Sequence, residues 1–177
     1  QLPGNIRHIP FGDTEALATA CGECSPAAFI VEPVQGEGGI RIPQAPYLER
    51  AAAVCRRHGC LFIVDEIQTG LGRTGAPFAT DFSEAVPDVL LVGKGLSGGM
   101  VPVAAAMIRQ SVWKKAFAGP ERCVWNASTF SGGFLAMRTG LEVLRILEAE
   151  SLSVRAAERG RYLLSRLTEL ARKHAIV

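Results

Sequence analysis

Lys94 sits between Gly93 and Gly95, directly behind the apolar run Val89-Leu90-Leu91-Val92. The only other lysines are Lys114, Lys115 and Lys173 in a chain rich in arginine, so an amine in this glycine-flanked setting stands out. Flanking glycines leave space for a bulky partner and a moving side chain. Two carboxylates hold equivalent places: Glu32 follows Ala28-Phe29-Ile30-Val31, and Asp65 follows Leu61-Phe62-Ile63-Val64. An amine can add to a carbonyl and move protons, and a poorly solvated carboxylate couples strongly to a positive charge opposite it. Each residue also has a plain structural reading, Lys94 as a solvated loop lysine and Asp65 as the N-cap of a helix after the strand.

The segments that position these groups alternate between short apolar runs and longer helical patterns. Ala28–Val31, Leu61–Val64 and Val89–Val92 read as buried strands, with 103–108 as a candidate fourth. A glycine- and proline-rich loop spans 35–46, then Leu48, Ala51, Ala52 and Cys55 recur at helical spacing before a stop at Gly59. A glycine-rich loop spans 69–75, and two final helices carry Leu141, Leu144 and Leu147, then Leu163, Leu164, Leu167 and Leu170 on one stripe. Strands without polar alternation, separated by helices, predict an α/β fold: a mostly parallel sheet with helices on both faces, forming one domain. Ligands gather at the carboxyl ends of such strands, which brings Glu32, Asp65 and Lys94 to one rim.

Composition excludes several classes. The chain is 48% hydrophobic and 20% charged with net charge +2, and its basic residues are scattered, so no nucleic-acid or anionic-membrane patch is expected. No apolar stretch is long enough for a membrane span, and Gln1-Leu2-Pro3-Gly4-Asn5 does not resemble a secretory leader. Five cysteines, an odd number, argue against a secreted disulfide framework, and a cytoplasmic protein is expected. Gly70-Leu71-Gly72-Arg73-Thr74-Gly75 spells G-x-G-x-x-G, but it neither follows a strand directly nor opens a helix. Leu61 to Glu66 resembles the acidic strand end of Mg²⁺-dependent nucleotidases, yet the companion phosphate loop is absent around Gly93-Lys94, so that reading is remote. Cys21 and Cys24, with Cys55, His58 and Cys60, have no second pair at metal spacing, and no metal is expected.

An amine and an acid on one rim suit pyridoxal phosphate, which needs a lysine for its Schiff base, an acid to keep its ring nitrogen protonated, and donors for its phosphate. Here the residues carry a resemblance. Phe29 to Gly39 (FIVEPVQGEGG), Val64 to Gly75 (VDEIQTGLGRTG), Pro87-Asp88, Gly93 to Gly99 (GKGLSGG) and Ser128-Thr129-Phe130 together resemble the class III (ornithine and acetylornithine type) aminotransferases. The Asp65-to-Lys94 spacing is similar too.

The resemblance implies a fold type I large domain, present in part, and a role for each matching residue. Lys94 would hold the cofactor and shuttle a proton, and Asp65 would pair with the ring nitrogen. Ile67 would pack on the ring, and Gln68 would donate to its phenolic oxygen. Thr129 would bind phosphate, in this family usually that of the neighbouring subunit, which implies a homodimer with shared active sites. Glu37 matches a glutamate that gates a substrate-binding arginine, and Glu32 would support its strand end. After Phe130 the chain reads Ser131-Gly132-Gly133-Phe134, unlike the family's usual turn, so the phosphate turn is expected to differ in shape. The family's N-terminal phosphate-binding segment finds no match, and residues 174–177 fall where a smaller C-terminal domain would begin. The expected activity is transfer of an amino group from an amine or amino acid to a 2-oxo acid. Alternatives are racemisation or amino migration on the same fold, or a non-catalytic fragment.

Overall fold

The computed structural model describes residues 4–122 and 128–174. Residues 1–3, 123–127 and 175–177 lie outside them. The chain runs α1 (Thr14–Cys24), β1 (Ala28–Val31), α2 (Tyr47–His58), β2 (Leu61–Asp65), a 3-10 turn (Ala79–Phe82), β3 (Val89–Val92), a 3-10 turn (Lys94–Ser97), β4 (Ala105–Ile108), α3 (Gln110–Ala116), α4 (Phe134–Ala149) and α5 (Leu152–Lys173).

Strand order is β1-β2-β3-β4. The first three strands are parallel, with Val31 beside Val64 and Asp65 beside Leu91, while β4 runs antiparallel to β3, pairing Ala105 with Val92. The expected fourth strand is therefore present but shorter, and its reversed direction brings residues 99–104 back to the rim where β3 ends. Asp65 is the last residue of β2 rather than the first beyond it.

The core follows from the pleat. Val31, Phe62 and Val64 project to one side and cluster with Leu17 and Cys21 of α1 and with Tyr47, Leu48, Ala51 and Cys55 of α2. On the opposite face Ile30 is 57% exposed. α1 starts at Asp13, whose Oδ1 accepts from the backbone N–H groups of Glu15 (3.0 Å) and Ala16 (2.8 Å), an N-cap that satisfies two orphan donors. α2 stops at Gly59, where φ of +66° suits glycine and the N–H returns to the last turn. The apolar stripe Leu163, Leu164, Leu167 and Leu170 lies on α5 as its spacing predicts, yet all four residues are exposed.

Candidate functional site

β1, β2 and β3 end at the same rim because they are parallel. Asp65 Oδ1 accepts from the N–H of Ile67 at 2.9 Å, a local turn that fixes the carboxylate's orientation. No helix starts directly after Asp65, so it is not a helix N-cap; Oδ1 closes a local turn instead, and among the described residues Oδ2 accepts no hydrogen bond. Two residues further on, Gln68 Oε1 accepts from Lys94 Nζ. Gln68 also lies tight against Gly36: a Cβ there would meet Gln68 Cγ at 2.9 Å, closer than such atoms approach. Gly36 N–H in turn donates to Glu32 Oε2 at 3.3 Å. A continuous line, Glu32 to Gly36 to Gln68 to Lys94, therefore connects the ends of all three parallel strands.

Lys94 is exposed and opens the 3-10 turn with φ of +41°, a left-handed conformation that costs a non-glycine residue about 1–3 kcal/mol. The turn is held from outside. Leu96 is buried against Leu90 and Val92. Gly140 of α4 lies against the Leu96 carbonyl, and Gly98 faces Val143. Ile67 sits over Gly93, whose missing side chain leaves it room. A cavity of about 670 Å³ opens beside Lys94, bordered by Ser97, Met100, Pro102 and Ala104. A second, of about 520 Å³, is lined by Gln68 together with Gly36 and Arg73.

The rim thus gathers Glu32, Asp65, Ile67, Gln68 and Lys94, and leaves two expected site residues apart. Glu37 is exposed in the loop after β1, and Thr129 is exposed in the turn before α4. Among the described residues neither bonds to Lys94, Asp65 or Gln68. The Thr129 turn is closed by Ser131 N–H to the Ser128 carbonyl (3.0 Å), Gly133 N–H to the Phe130 carbonyl (3.1 Å) and a contact between the Ser128 and Ser131 hydroxyls (3.0 Å). Gly132 adopts φ of +68°, so the departure at 131–134 forms a tight entry into α4.

One residue carries more of this architecture than its sequence context suggests. Glu66 is 1% exposed, and its carboxylate accepts from Thr69 Oγ1, Ala79 N–H (3.0 Å), Thr80 N–H (2.7 Å) and Thr80 Oγ1 (2.9 Å). The available signal was a charge at a position where the strand end should be buried. Cys21, Cys55 and Cys60 are buried, and burial pushes the Cys55 and Cys60 thiols above their ordinary range. Cys24 is exposed and accepts from Arg7 at 3.4 Å. Among the described residues no group of three or more His, Cys, Asp or Glu is arranged to hold a metal, and no helix is long and apolar enough to cross a membrane.

The family described as aminotransferase class-III matches residues 14–177. The chain is 44% identical over 169 residues to an ornithine aminotransferase of Halalkalibacterium halodurans, covering 96% of this chain and 41% of that protein. Against an ornithine aminotransferase of an Exiguobacterium species the identity is 41%, with 96% and 40% covered. Among solved structures, the ornithine aminotransferase of Toxoplasma gondii with partial pyridoxal phosphate occupancy superposes with a TM-score of 0.87 at 43% identity, over 95% of this chain and 38% of that one. The acetylornithine aminotransferase of Elizabethkingia anophelis gives 0.84 at 36% identity, over 93% and 40%. The chain spans about two fifths of the length of the curated relatives it matches.

Proposed function

Because the chain belongs to the class-III aminotransferase family, we propose that it forms part of the large domain of a pyridoxal-phosphate-dependent aminotransferase. The amino donor is an amine or amino acid, with ornithine indicated by the relatives, and the acceptor is a 2-oxo acid. The observation that carries this reading is the shared rim on which Lys94, Gln68 and Asp65 converge from two parallel strands.

The donor set fits the cofactor. Asp65 has one oxygen tied to Ile67 N–H and the other without a bonded donor among the described residues, as needed to hold a proton on a ring nitrogen. Gln68 uses Oε1 for Lys94, which leaves Nε2 to donate to a phenolic oxygen. Ile67, over Gly93, offers an apolar face to a flat ring. Bound pyridoxal phosphate supplies the aldehyde carbon and the electron-accepting ring.

In this reading Lys94 Nζ would hold the cofactor and would also serve as the base that moves a proton at the substrate's Cα. Asp65 would stand beside the ring nitrogen, in a half-buried setting that strengthens coupling between charges. Thr129 Oγ1 is read as a phosphate donor serving the neighbouring subunit of a homodimer, in keeping with its exposure and its separation from Lys94. Glu37, exposed in its loop, is read as the gate for a substrate-binding arginine. A cytoplasmic setting accords with the free thiols of Cys21, Cys24, Cys55 and Cys60.

The test is a half-reaction in the full-length protein that contains this chain. Ornithine added without an acceptor should remove the visible cofactor band stoichiometrically, and a 2-oxo acid should restore it. Turnover of an amino acid to its enantiomer or positional isomer with the band retained would instead identify a racemase or aminomutase.

A further inference from the structure

We infer that Glu66 is a positioning residue for Lys94, acting through the glycine-rich loop 70–78 that its carboxylate clasps at both ends. The inference rests on the role proposed above for Lys94 and adds a residue to it.

The carboxylate is used up by four donors from the two ends of that loop. Oε2 takes Thr69 Oγ1 and Ala79 N–H, and Oε1 takes Thr80 N–H and Thr80 Oγ1. The Glu66 carbonyl adds a fifth tie, accepting from Gly70 N–H at 2.8 Å. No ion pair joins Glu66 to a cation among the described residues, so the side chain is not half of a salt bridge. Its work is to hold backbone.

What the clasp holds reaches Lys94 by two routes. On one side Thr69 is bonded to Glu66 and follows Gln68, the residue that accepts from Lys94 Nζ. On the other side the loop carries Leu71, itself at φ of +58°, whose Cδ1 lies 3.5 Å from where a Cβ on Gly95 would stand. Leu71 and Phe78 pack on the cluster of Leu90, Val92 and Leu96 that underlies the Lys94 turn. The left-handed backbone of Lys94 is a conformation that persists only where surroundings over-determine it, and loop 70–78 is one of those surroundings.

A carboxylate is required because all four partners donate. In Glu66→Gln one oxygen becomes an NH2 group. The threonine hydroxyls can rotate to accept from it, whereas the N–H groups of Ala79 and Thr80 cannot, so at least one buried donor loses its acceptor. Thr80→Val is a milder companion that removes one hydroxyl donor and keeps the shape.

The experiment uses the holoenzyme and reads kcat, KM for the amino donor, and the pH midpoint of the visible cofactor band, which reports the surroundings of Lys94. Glu66→Gln should retain the cofactor, lower kcat by about tenfold to a hundredfold, as small misplacements of reacting groups do, and leave KM nearly unchanged. Its band midpoint should move, and Thr80→Val should move it less in the same direction. Parental kcat and midpoint in a folded Glu66→Gln protein would overturn the inference, whatever its thermal stability. Should Glu66→Gln not fold, Thr80→Val decides alone, and parental values in it overturn the inference. A parent protein with no cofactor band overturns the proposed function and this inference together, whereas a normal parent with unmoved variants overturns this inference only.

Discussion

Asp65 and Lys94 reach the same rim from different surroundings. Asp65 is half-buried and aimed by a backbone N–H, while Lys94 is exposed and aimed by its left-handed backbone and by Gln68. Asp65→Asn should therefore keep the cofactor and lose transition-state stabilisation, because a neutral amide does not hold the ring proton. The expected loss is about 2–4 kcal/mol, the range for removing one key electrostatic group. Parallel measurements of kcat and cofactor content check it, and near-normal kcat would reduce Asp65 to its turn-closing bond with Ile67. The place of both residues at one rim was legible in sequence, since each stands at the end of an apolar run that forms a strand. Glu66 was not, because it adjoins Asp65 in sequence and its donors come from 69, 79 and 80. Only the folded loop brings them together.

The elements were legible where pattern and length agreed. β1, β2, β3 and α2 fall within a residue or two of their apolar runs and stop signals. α1 escaped because its inward residues, Leu17, Ala20 and Cys21, are mostly small and carry little periodic contrast, even though Asp13 stood ready as a cap. The direction of β4 escaped because strand pairing is a tertiary property. The glycine-rich loop has a purpose that the motif alone conceals. A Cβ at Gly75 would meet the Cβ of Ala157 at 2.9 Å and its Cα at 3.2 Å, and φ there is +101°. Gly75 thus lets α5 lie directly on the loop. Gly75→Ala combines backbone strain with overpacking and should destabilise the protein by about 2 kcal/mol or more. Denaturant unfolding would show this as a lower midpoint with unchanged slope, and an unchanged midpoint would mean α5 is not seated on the loop.

At the scale of the whole molecule, the core beneath the rim also sets how stability depends on pH. The Cys55 thiol is pushed up chiefly by burial and further by Cys60, and the Cys60 thiol chiefly by burial and further by Cys21. In the unfolded chain they ionise near pH 8.5, and in the fold they stay protonated to higher pH. Above that pH the unfolded state binds fewer protons, so stability should be level below about pH 8 and decline as pH rises. Cys55→Ala should flatten the decline in a series of thermal melts, and an equally steep decline would assign it elsewhere. The exposed leucines of α5 belong to the same scale. Their spacing announced a helix with one apolar face, but periodicity says nothing about what lies over that face. Family membership was legible because several ordered motifs converge, and fold class because the strands lack polar alternation.

The central claim is that Lys94 is the residue that carries the cofactor, and it is tested most directly by trapping. The full-length protein containing this chain should be loaded with pyridoxal phosphate, reduced with borohydride, digested and mapped by mass spectrometry. A single reduced adduct is expected on the peptide bearing Lys94, and none in Lys94→Ala. An adduct on Lys114, Lys115 or Lys173, or none on this chain, would contradict it.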